Sequence, residues 1–189
     1  MYKCLLVWLS VVGMATAGFA QQKQDMNSKQ SNPKILVAYF SATGTTAHAA
    51  QKVAAATGGE LYAITPAQFY TDADLDWHDK RSRSSVEMND PKARPVLGGK
   101  RLDVSDYDVV FIGYPIWWDL APRIIDTFIE SHDLTGKTVI PFATSGSSSI
   151  TNSAATLKRT YPALIWKEGC LLNRADEKTV RRWIDKLEY

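Results

Sequence analysis

Residues 41–46 read Ser-Ala-Thr-Gly-Thr-Thr and lie between an apolar run, KILVAYF (34–40), and an alanine-rich stretch. Hydroxyls on Ser41, Thr43, Thr45 and Thr46 can donate to the oxygens of an anion. Gly44 lets the backbone turn tightly, so that its N–H groups converge. A helix starting behind such a turn adds unpaired N–H donors and about half a positive charge at its N-terminus. The six residues contain no lysine or arginine. The Gly-Lys-Ser/Thr element of a triphosphate loop is therefore absent, as is the G-x-G-x-x-G of a dinucleotide fold. A single phosphate held by oriented dipoles and hydroxyls suits these residue types. The plain alternative is a turn that only caps a helix.

Two further loops carry usable chemistry. Tyr114-Pro115-Ile116-Trp117-Trp118-Asp119 closes the apolar run DVVFIGY (108–114). Two adjacent indoles at an exposed strand end are costly unless they cover something flat or pack against a neighbouring segment. Beside a phosphate cradle, an aromatic platform fits a planar ring system with a phosphate tail. Thr144-Ser145-Gly146-Ser147-Ser148-Ser149 supplies a second set of hydroxyls and amides, suited to the polar edge of a heterocycle. No G-x-S-x-G elbow is present and no histidine lies near in sequence, so a serine nucleophile is not indicated. His48, His78 and His132 have no metal-ligand spacing, and no metal site is expected. Arg123 is expected to cap packing rather than reach the ring.

These loops can meet only if regular elements carry them to one place. From residue 34, short apolar runs alternate with amphipathic stretches. Strands are expected over 34–40, ELYAI (60–64), 108–114, KTVIPFAT (137–144) and 164–172. The first and third are almost continuously apolar, as in strands covered on both faces. Helices are expected over 46–57, ending at Gly58-Gly59, and over 122–131, where Ile124, Ile125, Phe128 and Ile129 recur at helical spacing. Two more are expected over 149–161 and 175–187. Such alternation predicts an open parallel sheet with helices on both faces and ligands at the carboxyl ends of the strands. All three loops fall there. Residues 66–107 break the alternation. Their charged core, YTDADLDWHDKRSRSSVEMNDPKARP (70–95), is either an ordered excursion over the sheet edge or a mobile lid.

In the order strand–SATGTT–helix, FIGYPIWWDLAPR, IPFATSGSSSI, the chain resembles the flavodoxins, in particular their short single-domain bacterial branch. The resemblance covers about 34–172, and DLDWHDKRSRSSVEMNDPKARP is similar to that branch too. It implies an α/β fold: a flavodoxin-like three-layer α/β/α sandwich on a five-stranded parallel sheet of order 2-1-3-4-5, with non-covalently bound flavin mononucleotide (FMN). On that pattern Ser41, Thr43, Gly44, Thr45 and Thr46 hold the phosphate. Pro115, Ile116, Trp117 and Trp118 line the isoalloxazine, next to Asp119, with Thr144, Ser145, Gly146 and Ser147 on its other side. Many flavodoxins have glycine where this chain has Asp119, and that peptide can flip to bond the reduced ring. Asp119 tolerates unusual backbone angles less freely, and its carboxylate disfavours adding negative charge to the ring. The third loop also lacks the aromatic that often stacks on the outer ring face. That face is left open unless Trp77 covers it.

The implied work is electron transfer to an unidentified redox partner protein or small-molecule electron donor or acceptor. The rival is a NAD(P)H- or quinone-linked flavin reductase using the same site. A chain of 189 residues with 45% apolar content suits one domain, here 34–189, and a net charge of +2 gives no nucleic-acid surface. Residues 1–20 form an expected signal peptide: Lys3, the apolar CLLVWLSVVGMA (4–15), then Gly18-Phe19-Ala20 before a cut. The run is short for a membrane span, although an uncleaved anchor is the alternative. The expectation is export, to the periplasm of a bacterium, with QQKQDMNSKQSNP (21–33) as a flexible linker. Removing the leader leaves Cys170 as the single cysteine, expected as a buried small hydrophobe.

Overall fold

The computed structural model describes residues 32–189. The expected signal peptide, and all but the last two residues of the linker, lie outside the described residues. Strands β1 (Ile35–Tyr39), β2 (Glu60–Ala63), β3 (Val109–Pro115) and β4 (Thr138–Thr144) run parallel in the order β2-β1-β3-β4. Helices α1 (Thr45–Thr57), α3 (Arg123–Ser131), α4 (Thr151–Thr160) and α5 (Glu177–Ile184) cover the two faces. Alternate strand residues divide the core. Leu36, Ala38, Val110 and Ile112 join Ile124, Ile125 and Phe128 of α3 and Leu157 of α4. Val37, Val109, Phe111, Ile140 and Phe142 join Ala50 and Val53 of α1 and Val180 and Ile184 of α5. Apolar runs without alternation are therefore what this sheet requires, since both of its faces are buried.

The fifth strand departs from expectation. Instead of one strand over 164–172 there are two short ones, β5 (Ile165–Trp166) and β6 (Cys170–Leu171), both paired with β4. The break has a cause on the neighbouring strand. Lys167 N–H donates to Val139 C=O at 3.0 Å and Leu172 N–H to Ala143 C=O at 2.8 Å, so Val139 and Ala143 face this edge. Pro141 lies midway between them with the same orientation and has no N–H to offer. The ladder lapses opposite it, and the order 2-1-3-4-5 holds with the fifth position split.

The 66–107 segment is an ordered excursion and holds a helix the sequence reading did not anticipate, α2 (Arg83–Asn89). Ser82 caps it, accepting from Ser85 N–H at 3.3 Å, and Ser84, Ser85 and Met88 are buried beneath it. An antiparallel bridge between Pro66 and Leu97 ties the ends of the excursion together. Strand order reverses between β1 and β3. Their carboxyl ends are where a ligand crevice is expected in an open parallel sheet.

Candidate functional site

At that end lies a cleft of about 1140 Å³. Its first wall is the β1–α1 loop. Gly44 is the N-cap residue of α1 with φ 90°, a left-handed backbone that glycine adopts without strain. It provides no side-chain cap, so the first N–H groups of α1 are left without the usual oxygen acceptor. Thr43 and Thr45 line the cleft, and neither hydroxyl has a hydrogen-bond partner among the described residues. Thr46 is buried, and its hydroxyl meets that of Thr144 at 2.8 Å, which ties the start of α1 to the end of β4. Ser41 and Gly44 do not line the cleft. Ser41 Oγ accepts from Gly44 N–H at 3.1 Å, so this pair shapes the turn that presents the donors.

The second wall follows β3, and all five residues expected there, Pro115 to Asp119, line the cleft. Trp117 N–H donates to Leu120 C=O at 3.0 Å and Leu120 N–H returns to Trp117 C=O at 2.9 Å. The two residues between, Trp118 and Asp119, both have left-handed backbones, at φ 46° and 63°. Two-residue turns of this hand usually carry Asn-Gly, and each non-glycine residue held so costs about 1 kcal/mol or more. Asn152 of α4 helps to hold the turn, donating from Nδ2 to Asp119 C=O at 3.1 Å. The adjacent indoles have different surroundings. Trp117 is half-buried, in edge contact with Phe40 at 5.6 Å and with Tyr70 of the excursion at 5.3 Å. Trp118 remains 46% exposed beside the cleft.

The excursion fixes Tyr70 firmly. Tyr70 OH donates to Glu87, whose other oxygen accepts from Arg83 Nε at 2.7 Å, and the Arg83 guanidinium lies 4.0 Å over the Tyr70 ring. Burial, followed by the Glu87 carboxylate, pushes the phenol well above its ordinary range. Leu75, Trp77 and Ser84 carry the excursion into the cleft wall, and Trp77 stays 67% exposed with its ring against His78 at 3.5 Å.

Thr144, Ser145, Gly146 and Ser147 form the third wall. Ser145 Oγ accepts from Ser147 N–H at 3.2 Å and Ser148 N–H at 2.9 Å, curling the loop. A fourth loop, not singled out from sequence, completes the cleft with Asn173 and Arg174. Asn173 pairs with both backbone groups of Ser145, accepting its N–H at 2.7 Å and donating to its C=O at 2.6 Å. These residues follow the fifth strand, so the rule that selected the other three loops could have found them.

Arg123 lies elsewhere. Its guanidinium donates to Met88 C=O at 3.1 Å and faces the buried Asp126 at 3.7 Å. Burial raises the Asp126 carboxyl, opposed first by the hydroxyl of Tyr161 at 2.9 Å. Cys170 is half-buried, and burial pushes its thiol upward, which makes it a poor nucleophile. Among the described residues no group of three histidine, cysteine or carboxylate side chains could hold a metal ion.

A doubly covered parallel sheet with its crevice at the strand-order reversal, walled by an uncapped helix start and an aromatic turn, defines an open, doubly wound α/β protein. The chain belongs to the flavodoxin family, whose model matches residues 34–187. A protein from Bacteroides eggerthii assigned as a flavoprotein is 73% identical, with a TM-score of 0.80 over 82% of this chain and 97% of its own. One from Bacteroides uniformis, similarly assigned, is 62% identical, with a TM-score of 0.80 over 82% of this chain and 99% of its own. A flavoprotein from Lactobacillus acidophilus, solved in complex with FMN, shares the fold at 21% identity, with a TM-score of 0.64 over 80% of this chain and 99% of its own. No curated protein matches the chain.

Proposed function

We propose that this protein binds FMN non-covalently in the cleft and serves as an electron carrier. The carrying observation is the start of α1, which has no side-chain cap and presents the unclaimed hydroxyls of Thr43 and Thr45 beside it. A helix start with free donors suits a phosphate, and the cleft is slightly larger than the usual ligand pocket, with room for a three-ring system and its ribityl chain. The chemistry of the donor set therefore fits. Thr43, Thr45 and the first amides of α1 would hold the phosphate, with Trp118 and the Pro115–Ile116 segment against the ring and the Ser145–Ser147 loop at its polar edge. Bound FMN would supply the electron chemistry, and the protein the orientation and electrostatics. The Bacteroides relatives assigned as flavoproteins support this reading, as does the FMN held by the L. acidophilus protein of the same fold.

The test is a titration of the purified full-length protein with FMN, followed by absorption and by quenching of flavin fluorescence. Saturable binding with a shifted flavin spectrum is expected. A protein that takes up no FMN would sink the proposal. A second reading, a NAD(P)H- or quinone-linked reductase, draws on the exposure of Trp77 and Trp118 at the cleft, which leaves access for a small donor or acceptor. Anaerobic titration with reductant separates the two. Two resolved one-electron steps support the carrier, whereas rapid bleaching by NADPH supports the reductase.

Asp119 bears on the potential. With φ 63° the backbone at this position already has the hand that glycine prefers. Asp119→Gly should therefore keep the turn and remove the carboxylate, raising the midpoint potential of the bound flavin. An unchanged potential, measured by dye equilibration, would remove any electrostatic role for Asp119. Reading residues 1–20 as a leader carries the further proposal of export to the periplasm of a bacterium, which fractionation of producing cells would check.

A further inference from the structure

The phosphate loop brings no cation in sequence, yet one reaches the cleft in space. Of the described residues lining the cleft, only Asp119 and Arg174 carry a formal charge. Arg174 is exposed and makes no ion pair among the described residues. Its backbone is held left-handed at φ 49°, in a turn where Ala175 N–H reaches Leu172 C=O at 3.4 Å. Glycine or asparagine is the usual occupant of such a position, so the arginine is kept there against a local preference.

The turn is pinned on both sides. Asn173 clasps the Ser145 backbone, and Lys52 Nζ of α1 donates to Ala175 C=O at 2.7 Å. Lys52 lies two turns past Thr45, about 10 Å along the α1 axis. The turn that carries Arg174 is thereby tied to the third loop and to α1, and Arg174 lines the same cleft as Thr43 and Thr45. Asp119 belongs to the β3–α3 turn, on a different wall. Among the described residues, the only formal positive charge of the cleft is thus carried by the loop tied to α1.

We infer that Arg174 is the counter-cation for the phosphate of the bound ligand, and that it selects a phosphorylated flavin over the unphosphorylated one. This rests on the FMN reading. The guanidinium would meet the outer oxygens of a phosphate whose inner oxygens accept from Thr43, Thr45 and the α1 amides. The dianion is then held by dipoles within and by one screened charge without, and charge-assisted bonds of this kind depend on salt.

The experiment measures the dissociation constants of FMN and riboflavin by fluorescence quenching, at low and moderate salt, for the full-length wild type, Arg174→Gln and Arg174→Lys. FMN is expected to bind Arg174→Gln roughly ten-fold more weakly, with riboflavin unchanged and a shallower salt dependence. Arg174→Lys should recover most of the loss. Arg174→Asn suits the left-handed backbone and also lacks the charge, so it must behave like Arg174→Gln, which guards against a folding artefact. An FMN affinity that does not change in Arg174→Gln and Arg174→Asn overturns the inference alone. Equal weakening of both flavins, or a wild type that binds FMN no more tightly than riboflavin, overturns it too. A wild type that binds neither flavin overturns the FMN reading and this inference with it.

Discussion

Gly113→Ala is expected to destabilise the fold by about 3 kcal/mol, a drop of roughly 6–12 °C in Tm for a domain of this size. Gly113 lies in β3 opposite Phe142 of β4, both on the side that faces α1 and α5. A methyl group at Gly113 would stand 2.2 Å from Phe142 Cζ and 2.5 Å from Cε2. The ring cannot swing outward, because Phe142 is fully buried in the core. Close-packed interiors accommodate such an insertion only by off-rotamer side chains or backbone shifts. Urea unfolding of the apoprotein measures the loss. Phe142→Leu introduced with Gly113→Ala should restore part of it, since the two positions share one volume. A midpoint equal to that of the wild type would show that the sheet yields more readily than this packing implies.

The second large effect is on binding. Thr43→Val with Thr45→Val is expected to weaken FMN roughly a hundred-fold, because each hydroxyl lost removes a hydrogen bond to a charged group. The shape of both side chains is retained. Neither hydroxyl has a protein partner among the described residues, so the Tm of the apoprotein should hardly move. Riboflavin, without the phosphate, should bind the double variant as it binds the wild type. Isothermal titration of both ligands measures this contrast. Loss of riboflavin binding to the same extent would place the ring, not the phosphate, against this loop. Thr46→Val is a useful contrast. It breaks the buried bond to Thr144 and should lower stability as well as affinity, by about 1–3 kcal/mol for the stability part.

The runs KILVAYF, DVVFIGY and KTVIPFAT announced central strands because a sheet covered on both faces buries every side chain, leaving a signal that needs no partner to be read. The helix stop at Gly58, the amphipathic stripe of Ile124, Ile125, Phe128 and Ile129, and three of the four cleft loops were equally local. So was the departure at Asp119, where the structure shows the left-handed backbone. The helix over 83–89 was also written locally, in its Ser82 cap, but the surrounding charge obscured it.

The remainder depends on residues far apart in sequence. The split of the fifth strand comes from Pro141, a missing donor on another strand some 25 residues earlier, which no inspection of 164–172 reveals. Which tryptophan packs and which stays exposed was decided by Tyr70, brought over the sheet edge by the excursion. Gly113 is required by a ring on the adjacent strand. By itself, then, the sequence determined the kind of sheet and the chemistry of three loops, because helix starts, turns and covered strands obey short-range rules, while the strand order came only with the family resemblance and the tertiary structure. Only the tertiary structure brought Arg174 to the cleft that holds the SATGTT loop. A charge reaches an anion site through space, by sheet pairing and helix packing, whatever its distance along the chain.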